Sequence, residues 1–248
     1  MKALDQTSSL TPPSPLVNLP PHFEMVPHRA LRQNVVASLL KAIFRGQIGE
    51  GDWLNAQKLA TKLGVSATPV REALVELTTI GIVETRHNRG FITRPFGSVQ
   101  LRDIYHLRQV LEQEATRCAA GNIPVEVLQA LQQDMIKLAE EPKGTGWSER
   151  AMASDRKLHQ LIADHCGSQR LAEEIVRYNI LVQSIRDVVG DQSHAQQRAL
   201  PEHLEIIEAL LQNNPEMGGA AMVRHIQSTA EAVESALFPA ATRKKEIQ

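Results

Sequence analysis

The stretch Val65-Ser66-Ala67-Thr68-Pro69-Val70-Arg71-Glu72-Ala73-Leu74, with Leu59, Ala60 and Leu63 just before it, constrains this chain more than any other segment. Leu59, Leu63 and Gly64 end a short amphipathic helix at a glycine, the residue that suits the left-handed turn closing a helix. Ser66 and Thr68 can each cap a new helix, and Pro69 fits its first turn, where a missing N–H costs nothing. Val70, Leu74 and Leu77 then recur at helical spacing, so one side of this helix faces a core and Thr68, Arg71 and Glu72 face out. The pattern predicts a helix-turn-helix. Its second helix leads with a hydroxyl and an arginine, the groups a major-groove reader needs.

Two short strands extend the unit. Gly81-Ile82-Val83-Glu84 ends the helix and starts one, and Gly90-Phe91-Ile92-Thr93 starts the other. Between them Thr85-Arg86-His87-Asn88-Arg89 reads as a polar hairpin tip, a wing that sets Arg86, Asn88, Arg89 and Gly90 against phosphates. Residues 31–94 on this reading resemble the DNA-binding domain of GntR-family bacterial transcription regulators, through "GVS-x-TPVREAL" and the glycine-tipped wing. The resemblance implies an operator as partner, with Ser66, Thr68, Arg71 and the wing as contacts. Two departures stand out. The family usually has arginine at the position of Ala67 and often one near Gln57, so the resemblance implies a somewhat different operator. The competing reading of Arg71 is a surface ion pair with Glu72 or Glu76.

The chain's 248 residues suffice for two domains, and its formal net charge of −1 conceals a division between them. Residues 29–95 carry ten Lys/Arg against five Asp/Glu, whereas residues 96–248 carry sixteen against twenty-one. A basic head on an acidic body is the footprint of a nucleic-acid-binding module joined to one that keeps off DNA. No apolar run approaches the length needed to span a bilayer and no leader-like start precedes it, so no membrane partner and a cytoplasmic location are expected. Residues 1–28 hold six of the thirteen prolines and read as a disordered arm. Residues 239–248 read as a tail. Arg94-Pro95-Phe96-Gly97-Ser98 forms a linker in which Ser98 can cap the next helix. Cys118 and Cys166 form no CxxC and fall in apolar stripes, which predicts buried free thiols.

From residue 98 to 238 the apolar period becomes 3.6, which predicts six helices. Their stripes begin Leu101-Ile104-Tyr105-Arg108-Glu112, Val125-Leu128-Leu131, Met152-Asp155-His159-Ile162 and Leu171-Ile175-Tyr178. The last two run from about Gln197 to Asn213 and from Pro215 to Leu237. The fold class expected is mainly α: a winged helix-turn-helix over 29–95 followed by a six-helix antiparallel bundle over 98–238.

Polar residues interrupt these inward stripes. Asp155 and His159 lie at i and i+4, His203 sits among Leu200, Leu204 and Ile207, and His225 follows Met222. Each alone fits a hydrogen-bonded core histidine. Together, three imidazoles and one carboxylate also make a credible ligand set for a divalent transition metal, since burying Asp155 uncompensated is expensive. Spacing leaves both readings open. The helical half also resembles the FCD ligand-binding domain of the FadR subfamily in its VanR-like form. The matching elements are Leu107-Arg108-Gln109-Val110-Leu111-Glu112, Asp155-x-x-x-His159, Glu202-His203-x-x-Ile206 and Ala220 through Ile226. The resemblance implies a metal held by Asp155, His159, His203 and His225. Zinc is the ion expected in purified protein, with nickel, manganese, cobalt or iron as alternatives.

Arg108 and Glu112 form the remaining candidate pair. They can make an internal i, i+4 salt bridge, or Arg108 can fork onto a carboxylate effector that reaches the metal, with Glu112 holding the arginine in place. The resemblance favours a small organic acid. The reading that emerges is a homodimeric, effector-responsive transcription regulator, most simply a repressor, with no catalytic residues. One alternative makes the metal ion itself the signal. Another is a metal-dependent hydrolase, for which the inward faces offer only Glu112 or His165 as an extra base.

Overall fold

The computed structural model describes residues 28–87, 89–189 and 193–238. The expected disordered arm, apart from its last residue, and the expected tail lie outside them. So do Asn88 at the wing tip and Gly190, expected to end the fourth stripe.

The N-terminal half consists of α1 (His28–Phe44), β1 (Trp53–Leu54), α2 (Ala56–Leu63), α3 (Ala67–Thr79), β2 (Val83–Arg86) and β3 (Gly90–Thr93). Asn55 caps α2 by accepting from Lys58 N at 3.0 Å. Gly64 closes the same helix at φ 66°, a left-handed conformation that the following turn requires. In α3, Ser66 occupies the cap position but makes no side-chain cap bond, and Thr68 lies inside the helix. Pro69 is in the first turn, as its chemistry dictates. Val70, Ala73, Leu74 and Leu77 are buried, and they join Val35, Leu39, Leu40 and Ile82 in the core of this half.

The three strands are antiparallel in the order β1-β3-β2, with Val83 opposite Thr93 and Arg86 opposite Gly90. β1 has no periodicity of its own. It exists because Trp53 and Leu54 pair with Ile92 and Phe91. Thr85 and Arg86 belong to β2 rather than to the hairpin tip.

The second half is α4 (Ser98–Ala119), α5 (Val125–Glu140), α6 (Trp147–His165), α7 (Gln169–Val189), α8 (Ser193–Leu211) and α9 (Pro215–Leu237). Its core includes Leu101, Leu131, Met135, Leu158, Ile162, Ile175, Leu181, Ile207 and Met222. α4 packs along α9. Gly218 and Gly219 permit the approach, since a Cβ on Gly219 would meet Arg117 Cγ at 2.9 Å and one on Gly218 would meet Thr116 Cγ2 at 3.3 Å. Asn214 caps α9 by accepting from Met217 N, with Pro215 in its first turn.

Three local expectations need correction. Gly97, not Ser98, caps α4; its N–H donates to Gln100 Oε1 at 3.0 Å, which draws Ser98 into the helix. α8 begins at Ser193, one turn before the apolar stripe does, and Pro201 lies within it. Cys118 is exposed, because the buried arc of α4 has drifted to Ala115, Thr116 and Ala119 by the last turn, whereas Cys166 is buried as expected.

The halves meet through α1, which packs on α3 on one side and on α7 on the other. Lys41 Nζ lies 2.6 Å from an Asp187 carboxylate oxygen. Phe44 and Phe96 rings lie 4.6 Å apart, and Phe96 continues to Phe238 at 6.4 Å.

Candidate functional site

The sequence singles out two sites, one in each half of the chain. On the N-terminal half, Ser66, Thr68 and Arg71 are exposed on the leading part of α3. Arg71 makes no ion pair among the described residues, because Glu76 is taken by Arg32 at 3.2 Å. Glu72, expected to face out, is half-buried; it sits one position nearer the inward arc of Ala73 and Leu77. Arg71 and Arg89 line the same concavity, together with Gln57, Gly90 and Phe91, so α3 and the wing flank one groove. Gly90 has φ 96°, a conformation the hairpin needs and a side chain resists. Arg86 is exposed but pairs along its strand with Glu84 at 3.0 Å.

In the bundle, Asp155, His159, His203 and His225 come together from α6, α8 and α9. Their candidate ligand atoms all lie within 4.8 Å of one another and all four residues are buried. Asp155 Oδ1 is 3.2 Å from His203 Nε2, 3.8 Å from His159 Nε2 and 4.0 Å from His225 Nε2. His203 and His225 Nε2 are 3.3 Å apart. Ligand atoms about 2.1 Å from an ion are about 3.0–3.4 Å apart along octahedral or tetrahedral edges, so the shorter separations match and the longer ones are somewhat open.

The surrounding groups orient these atoms. A carboxylate only accepts, so His159 Nδ1–H donates to Glu112 and His225 Nδ1–H donates to Glu202 at 2.9 Å, which leaves both Nε2 lone pairs facing inward. Burial pushes the His203 and His225 imidazoles down, against Asp155, so the rings are held in the neutral form a metal requires. Burial raises the Asp155 carboxyl, but Arg186, His203 and His159 together outweigh it and hold the group well below its ordinary value. Asp155 Oδ2 accepts from Arg186 Nη1 at 2.9 Å, while Oδ1, facing three imidazoles, makes no hydrogen bond among the described residues. A buried, ionised oxygen facing three convergent imidazole Nε2 atoms is a donor set that fits a divalent transition metal.

Arg108 and Glu112 are both buried and form the internal salt bridge, Nε to Oε1 at 2.5 Å. Arg108 Nη2 also donates to His159 Nε2 at 3.3 Å, which leaves Nη1 buried without a partner. The hydroxyl of Tyr105 is likewise buried, beside the Arg186 guanidinium, with no acceptor for its proton among the described residues. Burial raises its phenol, opposed by the nearby guanidinium groups of Arg186 and Arg108. Glu112 is fully engaged by Arg108 and His159, and His165 Nδ1 is bonded to Leu161 O at 2.8 Å, so neither is an idle base. Sequence reasoning missed Arg186 and Glu202. Arg186 carried the same signal as Arg108, a charge four residues along an apolar stripe from Val182, whereas the Glu202–His225 pairing exists only once α8 meets α9.

Residues 31–92 match the family of bacterial regulatory proteins called gntR, and residues 103–228 match the FCD domain. The chain is 26% identical over 212 residues to the HTH-type transcriptional repressor RspR of Escherichia coli, covering 85% of this chain and 92% of that protein. It is 27% identical over 177 residues to the Nta operon transcriptional regulator of Aminobacter aminovorans, covering 71% and 82%. Among solved structures it resembles E. coli McbR/YncC in fold, at a TM-score of 0.59 and 22% identity, over 82% of this chain and 96% of that one.

Proposed function

We propose, from the premise that the chain belongs to the gntR family with an FCD domain and is a DNA-binding transcriptional regulator rather than an enzyme, that it acts as a homodimeric repressor. On this reading Asp155, His159, His203 and His225 hold a divalent metal, and a small carboxylate bound beside it sets operator affinity. When bound, the metal supplies an electrophilic anchor for one end of an anionic ligand. Repression is carried over from the name of the RspR relative.

The observation that carries the effector reading is the set of buried donors without acceptors beside the four ligands. Arg108 Nη1 and the Tyr105 hydroxyl are donors, and they call for an acceptor that nothing among the described residues supplies. A carboxylate satisfies them, whereas an amine or a neutral sugar leaves a buried guanidinium N–H unpaired. Glu112 acts here through Arg108 and His159 and does not touch the ligand. Thermal shift measurements across organic acids, amines and sugars test this, because a ligand that binds only the folded chain raises the melting temperature. Small mono- or dicarboxylates are expected to stabilise the protein, and Arg108→Ala and His203→Ala each to remove the response to the same acid. A response that survives both changes puts the ligand elsewhere.

The dimer is supported by one side of α4, which exposes Val99, Leu107 and Val110 at 54%, 42% and 49%. Apolar side chains this open on a helix otherwise committed to a core mark a contact surface. Light scattering is expected to give twice the chain mass for the wild type and the single chain mass for Leu107→Glu/Val110→Glu. A double variant that remains dimeric excludes this face. In the dimer, two α3 helices enter successive major grooves of a pseudo-palindromic operator.

A further inference from the structure

We propose that α7 is the coupling element between the buried centre and the recognition helix, with Arg186 reading the centre and Asp187 holding α1. This inference deepens the regulatory reading above and rests on it. Arg186 and Asp187 are consecutive, so their side chains leave α7 about 100° apart. Arg186 turns inward, nearly completely buried, and donates to Asp155 Oδ2 at 2.9 Å. Asp187 turns toward the other half. One of its oxygens accepts from Gln183 at 2.7 Å and the other meets Lys41 of α1 at 2.6 Å.

α1 in turn is clamped to α3 by the Arg32–Glu76 pair at 3.2 Å, and its buried face of Val35, Val36, Leu39 and Leu40 is continuous with the α3 core. A chain of direct contacts therefore runs from Asp155 through one turn of α7 and α1 to the helix that bears Arg71. Lys41 and Phe44 both lie in the last turn of α1, so the Lys41–Asp187 pair and the Phe44–Phe96–Phe238 contacts hold the same end of the helix, beside the linker.

The electrostatics supply the driving term. Positive charge drawn to Asp155 Oδ1 competes with the buried Arg186 guanidinium for the same carboxylate. Any rotation or axial shift of α7 that relaxes Arg186 displaces Asp187, one residue on, and with it Lys41. A packed helix responds between discrete arrangements rather than by continuous bending, so a small shift at the centre can change the docking of α1.

Hydrogen exchange on the full chain, with and without zinc ion, tests the proposal. In the wild type, zinc is expected to slow exchange in α6, α8 and α9 and to change exchange in α1 and α3 by about fivefold or more, the low end of allosteric couplings. Asp187→Asn removes the charge and keeps the shape. It should preserve the response of α6, α8 and α9 and abolish that of α1 and α3. A response of α1 and α3 that persists in Asp187→Asn, or that is absent in a wild type whose centre does respond, overturns the proposal.

If zinc leaves α6, α8 and α9 unchanged, the metal reading fails and the coupling is judged without it. Arg186→Gln, with no ion added, should then alter α1 exchange in a way that Lys41→Met removes, and unaltered α1 exchange overturns the coupling. Arg186→Lys carries the same comparison should Arg186→Gln fail to fold.

Discussion

Replacing Arg71 by alanine is expected to abolish sequence-specific operator binding while leaving fold and metal content intact. Arg71 is exposed on α3, faces the groove shared with the wing, and is held by no ion pair among the described residues. Its removal therefore costs the folded chain nothing visible. A lost base contact costs about 1–3 kcal/mol, and a dimer loses two, so affinity for the specific site should fall by about 30-fold to 10⁴-fold. Arg89, on the wing at the other edge of the groove, is expected to behave differently. Arg89→Ala should weaken specific and scrambled DNA alike and reduce the salt slope by about one per site. Fluorescence anisotropy with the chain's own upstream DNA and a scrambled duplex separates the two. A changed sequence preference in Arg89→Ala with none in Arg71→Ala reverses the roles assigned to α3 and the wing.

Removal of Asp155 should produce the largest loss of stability in the bundle. Its carboxylate and Arg186 are 3% and 5% exposed, and among the described residues Asp155 is the only acid within ion-pair distance of Arg186. Asp155→Ala leaves that guanidinium buried and unpaired, a change that typically costs about 3–5 kcal/mol. In a chain of this size such a loss lowers the melting temperature by about 6–20 °C. The comparison is to be made with a chelator present in both samples, so that the lost ion pair is measured rather than lost metal. His225→Ala under the same conditions should cost less, since it deletes a neutral ring. Because the folded carboxyl of Asp155 is depressed, its contribution is present above the ordinary carboxylate range and is lost as pH falls toward the lower folded value. Equal melting temperatures for wild type and Asp155→Ala in chelator would mean that the pair does not hold the bundle together.

Much of this was legible in the sequence because it is local. Gly64 in a left-handed turn and Pro69 in a first helical turn are choices of single residues, and they fixed the helix-turn-helix before any tertiary contact was known. Asp155, His159, His203 and His225 were visible as polar intrusions on apolar stripes, since a helix face converts spacing into direction. What pairing and packing create was not visible. β1 is two residues long and is a strand only because β3 lies beside it. Glu202 reads as a surface acid next to His203, until α9 brings His225 to its carboxylate. Cys118 lies one step off a stripe that the eye extends too far, whereas Glu72 lies one step nearer the buried arc than its outward reading allowed. Arg108 shows the limit most directly. Its spacing allowed an internal salt bridge or a ligand contact, and the structure makes the bridge while leaving Nη1 over.

The central claim is that the four convergent side chains form a metal centre in a DNA-binding regulator, and elemental analysis of the purified chain tests it most directly. The account predicts about one equivalent of a divalent transition metal per chain in the wild type. It predicts none in His203→Ala/His225→Ala, with the double variant still folded by circular dichroism. Zinc alone would not identify the ion used in the cell, because it is bound tightly by such a donor set whatever the native metal. A wild type that holds no stoichiometric metal even after loading, or a double variant that holds as much as the wild type, would contradict the account.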